Sequence, residues 1–211
     1  MLEDKPLWKQ LVEQQYNRFK PRLDYMVEKY GEEFTMTEHG TVFSVEHPDW
    51  YFNVDYKEYA QCYLDNYIVF LRKDEIQQIM QELLSDLIGD CLVFIEPCWY
   101  APASSMKDTT AEELLTAAAN GESICFSVYC YTSKSSKEKD QDMDRIIQAV
   151  MEKGYGMIIS FTYTTDELLK KTTEKNHQSM IQDDRLYYWD TYAEIVQTCN
   201  WTDMGWKRGA L

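Results

Sequence analysis

The fold class depends on Ile124-Cys125-Phe126-Ser127-Val128-Tyr129-Cys130-Tyr131, a stretch of aromatic and β-branched residues that is typical of a buried strand. Two more strand-like runs, Cys91–Ile95 and Met157–Tyr163, lie on either side of it. Between them, apolar residues recur at helical spacing, as in the segment that ends at Gly154. This mixture predicts an α+β protein with mixed or antiparallel sheets and packed helices.

The beginning of the chain predicts a helix and then a hairpin. Apolar residues at helical spacing run from Pro6 to Tyr30, and Gly31 suits a C-terminal cap. Pro21 lies inside this pattern and predicts a kink or a break. The period then changes to two around Glu38-His39-Gly40, which predicts a hairpin turn.

Two further strands are predicted before residue 80. Aromatic and polar residues alternate over Trp50–Tyr56, and an almost continuous apolar run covers Asn66–Arg72. Asp74 suits the N-cap of a following helix that ends at Gly89.

The best linker candidate is Pro97–Asp108, which is rich in Pro, Ser and Ala. A new helix is expected after it, because Thr110 and Glu113 have the spacing of a capping box. We therefore expect two intimately packed halves, 1–100 and 105–211, which can also be one continuous domain.

The charge of the chain excludes one class of function. It has 36 Asp and Glu against 21 Lys and Arg, a net charge of −15. Because nucleic-acid affinity comes largely from Lys and Arg that displace counterions, we expect no direct binding to DNA or RNA. The one basic cluster, Ser133–Lys139, either contacts an anionic partner or forms a solvated loop, and such runs are more often solvated.

The cysteine pattern and the hydropathy predict the cellular compartment of the protein. None of the six cysteines forms a Cys-x-x-Cys pair, and the first twenty residues contain no apolar signal region. No window approaches the roughly 18 apolar residues that span a bilayer. We expect reduced thiols, no membrane contact and a cytoplasmic protein, unless a signal segment has been removed upstream.

A resemblance covers residues from about 20 to 96. A helix stop and a strand start follow each other in Val27-Glu28-Lys29-Tyr30-Gly31-Glu32-Glu33-Phe34-Thr35. Together with Asp65-Asn66-Tyr67, the helix from Asp74 and the strand Cys91–Ile95, this part resembles uncharacterised helix-plus-sheet modules of low-GC Gram-positive bacteria and their mobile elements. This chain lacks the lipobox cysteine of the lipoprotein versions. The resemblance implies no activity and no catalytic residue.

Motifs for catalysis are absent from the sequence. It has no Gly-x-Ser-x-Gly, no P-loop and no Gly-x-Gly-x-x-Gly. We therefore expect no catalytic residues and no cofactor. His39 and His47 lie among carboxylates and are weak candidates for a metal site, whereas turn chemistry at strand ends explains the same pattern. We predict that no metal is bound.

Adjacent aromatic residues are the remaining feature of the sequence that indicates a function. Trp50-Tyr51 and Tyr187-Tyr188-Trp189 are adjacent aromatic residues in strand-like segments. Because neighbouring strand residues point to opposite faces, some of these rings should be exposed, unless both faces are covered and all five lie in the core.

Exposed aromatic rings beside acids form a plausible docking surface for a basic protein. We expect a non-enzymatic protein-binding protein, in concrete form an inhibitor or immunity-type protein that blocks a basic, nucleic-acid-handling partner. The alternative is an uncharacterised enzyme, or an accessory protein of a mobile element, without a recognisable active site.

Overall fold

The structure is a computed structural model in which residues 6–120, 122, 124–196, 199–203 and 207–209 are described. It confirms the α+β class, with helices and mixed and antiparallel sheets around a packed core. In chain order the elements are α1 (Leu7–Tyr30), β1 (Phe34–Met36), β2 (Val42–Ser44), β3 (Val54–Lys57), β4 (Cys62–Asp65), α2 (Tyr67–Ile88), β5 (Cys91–Pro97), α3 (Ala111–Ala119), β6 (Phe126–Thr132), α4 (Lys139–Glu152), β7 (Met157–Tyr163), α5 (Asp166–Lys171), α6 (His177–Gln182), β8 (Trp189–Val196), β9 (Cys199–Asp203) and β10 (Lys207–Arg208).

The chain forms two compact units. Unit 1 consists of residues 1–70 and Tyr100–Thr109, and unit 2 of Leu71–Trp99 and Thr110–Leu211. The predicted halves, 1–100 and 105–211, divide the chain elsewhere. The difference arises because β5 pairs with β6 and so belongs with the second unit, whereas the segment predicted as a linker packs with the first.

Unit 1 contains α1 and two antiparallel hairpins, β1–β2 and β3–β4. Its core is aromatic. The ring of Tyr67 lies 4.9 Å from that of Tyr30, 5.2 Å from that of Phe34 and 4.8 Å from that of Phe52, in edge-on arrangements that aromatic rings prefer.

Unit 2 is built on one sheet with the strand order β10-β8-β7-β6-β5, in which β9 also pairs with β8. Among the strands that the structure describes, only β6 and β7 run parallel, and α4 makes the crossover connection that a parallel pair needs. The apolar face of α4, with Ile146 and Val150, is buried. No helix in the described ranges combines the length and apolar composition needed to cross a membrane.

Several local predictions are confirmed. The strands predicted around Cys91–Ile95, Ile124–Tyr131 and Met157–Tyr163 are β5, β6 and β7. Thr110 Oγ1 accepts a hydrogen bond from the Glu113 amide at 3.2 Å, and the Glu113 carboxylate accepts one from the Thr110 amide at 2.8 Å, which is the predicted capping box.

Two local predictions are wrong, and a third is wrong in part. Residues 66–72 are not a strand, because α2 begins at Tyr67, where Asp65 Oδ1 accepts from the Tyr67 amide at 2.9 Å. The strand expected over Trp50–Tyr56 is shorter, since only Val54–Lys57 has a pairing partner, β4. The break that Pro21 predicts does not occur, since α1 runs without interruption from Leu7 to Tyr30, and the alternative, a kink, stays a prediction.

Candidate partner-binding surface

Two of the five predicted anchors, Trp50 and Tyr51, lie in unit 1 and differ in exposure. Trp50 is half-buried, since its ring stacks on His47 at 3.8 Å and packs 5.7 Å from the ring of Phe70. Tyr51 is 77% exposed and touches the Phe43 ring edge-on at 6.1 Å. Tyr51 is therefore available to a partner, whereas Trp50 mainly closes the core of unit 1.

The other three predicted anchors lie in unit 2. Tyr187 is fully buried and donates from its hydroxyl to Asp184 Oδ1 at 3.1 Å, so its assignment to a contact surface is wrong. The segment before β8 is irregular there, and strand alternation does not apply to it.

Tyr188 and Trp189 remain partly accessible, and Tyr188 is 42% exposed. The Trp189 ring lies 4.8 Å from Lys139 Nζ and 5.8 Å from the Arg208 guanidinium. These cations of the same chain are attracted to the ring face. A basic partner would have to compete with them, which makes Trp189 a poor anchor for such a partner.

A set of tyrosines on unit 1 forms a more continuous aromatic surface. Tyr56 and Tyr63 are directly opposite each other on β3 and β4, with ring centroids 5.4 Å apart. Tyr25 of α1 lies 5.6 Å from Tyr63. Tyr59, in the turn between the two strands, is 81% exposed, and Tyr56 is 48% exposed. We call Tyr25, Tyr56, Tyr59 and Tyr63 the tyrosine surface.

Local sequence explains why these rings are presented. The β3–β4 turn is closed by hydrogen bonds from the Ala60 amide to Lys57 O at 3.1 Å and from the Gln61 amide to Glu58 O at 3.3 Å. Gln61 has a φ of 52°, the left-handed conformation that lets the chain reverse. The tight reversal projects Tyr59 outward and fixes the register that places Tyr56 opposite Tyr63.

The buried side of the tyrosine surface is held by a carboxylate. Asp65 accepts hydrogen bonds from the hydroxyls of Tyr25 at 2.7 Å and Tyr30 at 2.6 Å, and from Lys29 Nζ at 2.7 Å. Burial, together with the charge of Asp65, holds the pKa of Tyr25 and of Tyr30 well above the usual range. Both hydroxyls therefore stay neutral donors, and the ring of Tyr25 has a fixed orientation.

Exposed carboxylates lie beside the tyrosine surface, and the cations that also lie there, Lys29 and Lys57, are close to Asp65 and Asp55 of the same unit. Glu58 precedes Tyr59 in the turn, and Glu28 lies one helical turn after Tyr25; both carboxylates are exposed. Unit 1 as a whole has 14 Asp and Glu against 8 Lys and Arg, and unit 2 has 22 against 13. The acidic excess is therefore spread over both units rather than confined to one.

The two candidate metal ligands, His39 and His47, make contacts with neighbouring side chains of their own turns. His39 is exposed in the β1–β2 turn, with Nε2 3.4 Å from Glu38 Oε1. His47 lies beyond β2 and stacks on Trp50. Among the residues that the structure describes, no three His, Cys, Asp or Glu side chains come together in a group suited to a metal.

Sequence reasoning missed the tyrosine surface. Two features of the sequence indicated it: aromatic and polar residues alternate up to Tyr56, and the chain contains 16 tyrosines. The position of Tyr63 was uninformative, because no strand was predicted there. The contact with Tyr25 joins a helix to a distant hairpin, and periodicity alone does not reveal such a contact.

Comparisons with known proteins give one distant structural neighbour. No family model matches the chain, and no curated protein matches it. Among solved structures, the chain is similar to a DUF5037 family protein from Ruminococcus gnavus ATCC 29149, with 14% identity, 82% of this chain and 90% of that chain covered, and a TM-score of 0.40. That organism is a low-GC Gram-positive bacterium. The resemblance to proteins of mobile elements stays a prediction.

Proposed function

We propose that this protein binds a basic protein partner through the tyrosine surface of unit 1 and has no catalytic activity of its own. The observation that carries the proposal is the cross-strand pair of Tyr56 and Tyr63, extended by Tyr25 and by the exposed ring of Tyr59. Tyrosine provides a large, rigid contact area with a polar hydroxyl, and it is enriched at protein interfaces for that reason.

Charge supports the choice of partner. The exposed carboxylates Glu28 and Glu58 flank the tyrosines, and the whole chain has a net charge of −15. Complementary charge accelerates the encounter of two proteins, while buried aromatic contacts set the lifetime of the complex. An acidic surface with tyrosines at its centre therefore suits a partner with exposed Lys and Arg.

The concrete form of the proposal is an inhibitor or immunity-type protein. A partner that handles nucleic acid has a basic surface for phosphates, and an acidic protein can occupy that surface. In this form, the protein and a nucleic acid compete for the partner. The protein itself does not bind nucleic acid.

The test begins with the immobilised protein in a lysate of the organism that encodes it, followed by identification of the bound proteins by mass spectrometry. The purified partner is then titrated calorimetrically with wild type, Tyr56→Ala and Tyr59→Ala. Each substitution should weaken binding by about 2 kcal/mol, the cost typical of a true anchor. The partner should be basic, and its association rate should fall as the salt concentration rises.

Tyr188→Ala is the matched control, because Tyr188 has a similar exposure, 42%, but lies in unit 2. It should bind like wild type. Loss of binding in Tyr188→Ala with full binding in Tyr56→Ala would move the contact to unit 2. An acidic partner, or one that nucleic acid does not displace, would contradict the inhibitor form of the proposal.

A further inference from the structure

A cavity of about 260 Å³ lies on one face of the sheet of unit 2, beside α6. Ser127 of β6, Ser160 of β7 and Asp190 of β8 form its floor. These residues share a face, because Tyr129 is the register partner of Ser160 and Thr162 is that of Asp190, while alternate residues of a strand point to the same side. The cavity therefore lies over the central strands, a region that large apolar side chains fill in a closely packed core.

The polar side chains at the floor of the cavity are partly withdrawn from solvent. Ser160 is 8% exposed and Asp190 is 9% exposed, whereas a sheet face that simply borders water has exposed polar residues. Thr162 Oγ1 donates to Asp190 Oδ1 at 2.9 Å, and Ser160 Oγ donates to the same oxygen at 3.4 Å. These two hydroxyl groups fix the orientation of the Asp190 carboxylate, which is thus a hydrogen-bond acceptor held in one position.

Helix α6 forms a wall of the same cavity. Its Met180 is buried against Phe94 and Tyr131 of the sheet. Gln178 and Gln182 are four residues apart, so they lie on one side of the helix, and both line the cavity with exposed side chains. Because a side-chain amide both donates and accepts hydrogen bonds, the edge of the cavity offers groups of both kinds.

His177, the first residue of α6, fastens this wall to the sheet. Its ring stacks on Phe94 at 4.6 Å and lies 5.1 Å from the ring of Tyr129, which lines the cavity. His177 Nε2 lies 2.9 Å from Glu96 Oε1, and the Tyr131 hydroxyl donates to His177 O at 2.8 Å. Since these contacts hold α6 on β5 and β6, a ligand finds both walls in position, and such preorganisation lowers the cost of binding.

The side chains around the cavity indicate the class of ligand. They include a carboxylate, hydroxyl groups and side-chain amides, and no Lys or Arg is among the residues that the structure describes there. Asp190 repels anions such as phosphates and carboxylates. A neutral ligand with several hydroxyl groups can donate to the carboxylate and can exchange hydrogen bonds with the amides and the serines.

Apolar groups in the same cavity suit the carbon skeleton of a sugar. The ring of Tyr129 is half-buried, and Ile158 and Ile181 also line the cavity. A sugar ring has C–H groups on its faces and hydroxyl groups at its edge, so it matches apolar and polar side chains together. The volume of about 260 Å³ lies just below the roughly 300–1,000 Å³ of sites for drug-sized ligands, so the cavity suits one sugar ring rather than a chain of them.

We propose that unit 2 binds a neutral monosaccharide in this cavity. Hydroxyl groups of the sugar donate to the Asp190 carboxylate and form hydrogen bonds with the amides of Gln178 and Gln182, and the ring of the sugar packs against Tyr129. All the residues of this site belong to unit 2, whereas the tyrosine surface belongs to unit 1. The sugar site is therefore a second binding function, and it does not depend on the proposed protein partner.

The probes are D-glucose, D-galactose and D-mannose, each titrated into the full-length ¹⁵N-labelled protein at pH 7 while the amide chemical shifts are recorded. At least one of these hexoses should bind with a dissociation constant of about 1 mM, the affinity expected for a ligand of this size. It should shift the amides of Ser127, Tyr129 and Ser160 and those of α6. No shift with any of the three hexoses, or shifts outside these elements, would overturn the proposal.

Variants of the wall and the floor test the position of the sugar. Gln178→Ala and Gln182→Ala change exposed residues, so both proteins should fold, and each should bind the hexose about tenfold more weakly. Ser160→Val, which replaces a hydroxyl group of the floor with a methyl group, should abolish binding. Gln148→Ala is the matched control, because Gln148 is an exposed glutamine of α4, and it should bind like wild type. Equal affinity in Gln178→Ala, Gln182→Ala and wild type would refute the site.

Charged derivatives of the hexose that binds test the class of ligand. Its 6-phosphate should bind at least about tenfold more weakly, because Asp190 repels the phosphate. Its 2-amino derivative, a cation, should bind no more tightly than the neutral sugar. Tighter binding of the phosphate, or of the cationic derivative, would show that the cavity selects a charged ligand and would overturn the assignment to neutral sugars.

Discussion

Gln81 of α2 completes the hydrogen bonding of the main chain at Val93, on the outer edge of β5. The Val93 amide donates to Gln81 Oε1 at 3.0 Å, and Gln81 Nε2 donates to Cys91 O at 2.9 Å. A side-chain amide thus takes the place of a neighbouring strand. Since β5 is the last strand on its side of the sheet, this contact also covers an edge that would otherwise be open to another chain.

Replacing Gln81 with Leu should destabilise the protein by about 2–6 kcal/mol. The change leaves one amide and one carbonyl group of β5 without partners, and each buried unpaired group costs about 1–3 kcal/mol. Urea unfolding followed by circular dichroism measures the effect. Gln78→Leu is the control, because Gln78 lies in the same helix but is exposed. Equal loss in both variants would mean that leucine itself, rather than the edge contact, causes the change.

Asp65 is expected to be the most sensitive carboxylate of unit 1. An Asn at this position loses its charge and one acceptor oxygen, and it leaves Lys29, whose side chain is 6% exposed, without a counter-ion. Loss of one partner of a buried pair costs about 3–5 kcal/mol. Denaturant unfolding of Asp65→Asn tests this. Asp24→Asn, which alters an exposed pair with Lys20, should have almost no effect, and a comparable loss there would contradict the argument.

The sheet of unit 2 was predictable because its central strands are short apolar runs bounded by turn residues. The start of α2 was not, since Tyr67, Ile68 and Val69 are all fully buried and the first turn therefore shows no polar face. A helix that is buried on every side has the same continuous apolar pattern as a buried strand. Only the hydrogen bond between the Tyr67 amide and Asp65 marks the boundary, and its sequence signal is weak.

The candidate surfaces were less predictable than the strands. The surface prediction was based on the adjacent aromatic residues, but the exposure of each ring depends on what covers it, as the difference between Tyr51 and Tyr187 shows. The cavity beside α6 depends on side chains of three strands and on the contact that fastens His177 to Glu96. Such contacts follow from register and helix packing, which a single sequence does not specify.

The Asp142 carboxylate should make the free energy of unfolding depend on pH. Burial alone would raise its pKa, but hydrogen bonds from Lys134 and Tyr163, together with the charge of Arg145, hold the pKa below its usual value of 3.8. The Asp142 carboxylate therefore binds a proton less readily in the folded protein than in the unfolded chain. The ionised Asp142 carboxylate contributes fully to the free energy of unfolding above about pH 4. This contribution is lost as the pH falls through the lower pKa of the folded state.

The measurement is the free energy of unfolding of wild type and Asp142→Asn between pH 7 and pH 2. The two curves should converge as the pH falls, because the ionised carboxylate no longer distinguishes them. Asp140→Asn is the control, since Asp140 lies in the same helix but its side chain is 74% exposed. Parallel curves for Asp142→Asn and wild type at all pH values would show that the charge of Asp142 contributes nothing.

Direct binding to DNA or RNA should be undetectable at physiological salt. Both units have more acids than bases, and the basic cluster Ser133–Lys139 includes Lys134, which is paired with Asp142 at 2.7 Å. A gel shift with mixed-sequence duplex and single-stranded probes tests this. Micromolar binding that weakens as the salt concentration rises, the sign of phosphate contacts, is the result that would contradict it.

The last prediction separates surface from core among the predicted aromatic anchors. Tyr187→Ala should lower the free energy of unfolding by about 3–5 kcal/mol, because it removes a fully buried ring. Tyr51→Ala should change it by less than about 0.5 kcal/mol, since its ring is 77% exposed. Tyr187→Phe, which removes only the hydroxyl that donates to Asp184, should lie between them. If Tyr51→Ala destabilised the protein as much as Tyr187→Ala, Tyr51 would belong to the core, and only the tyrosine surface would remain for a partner.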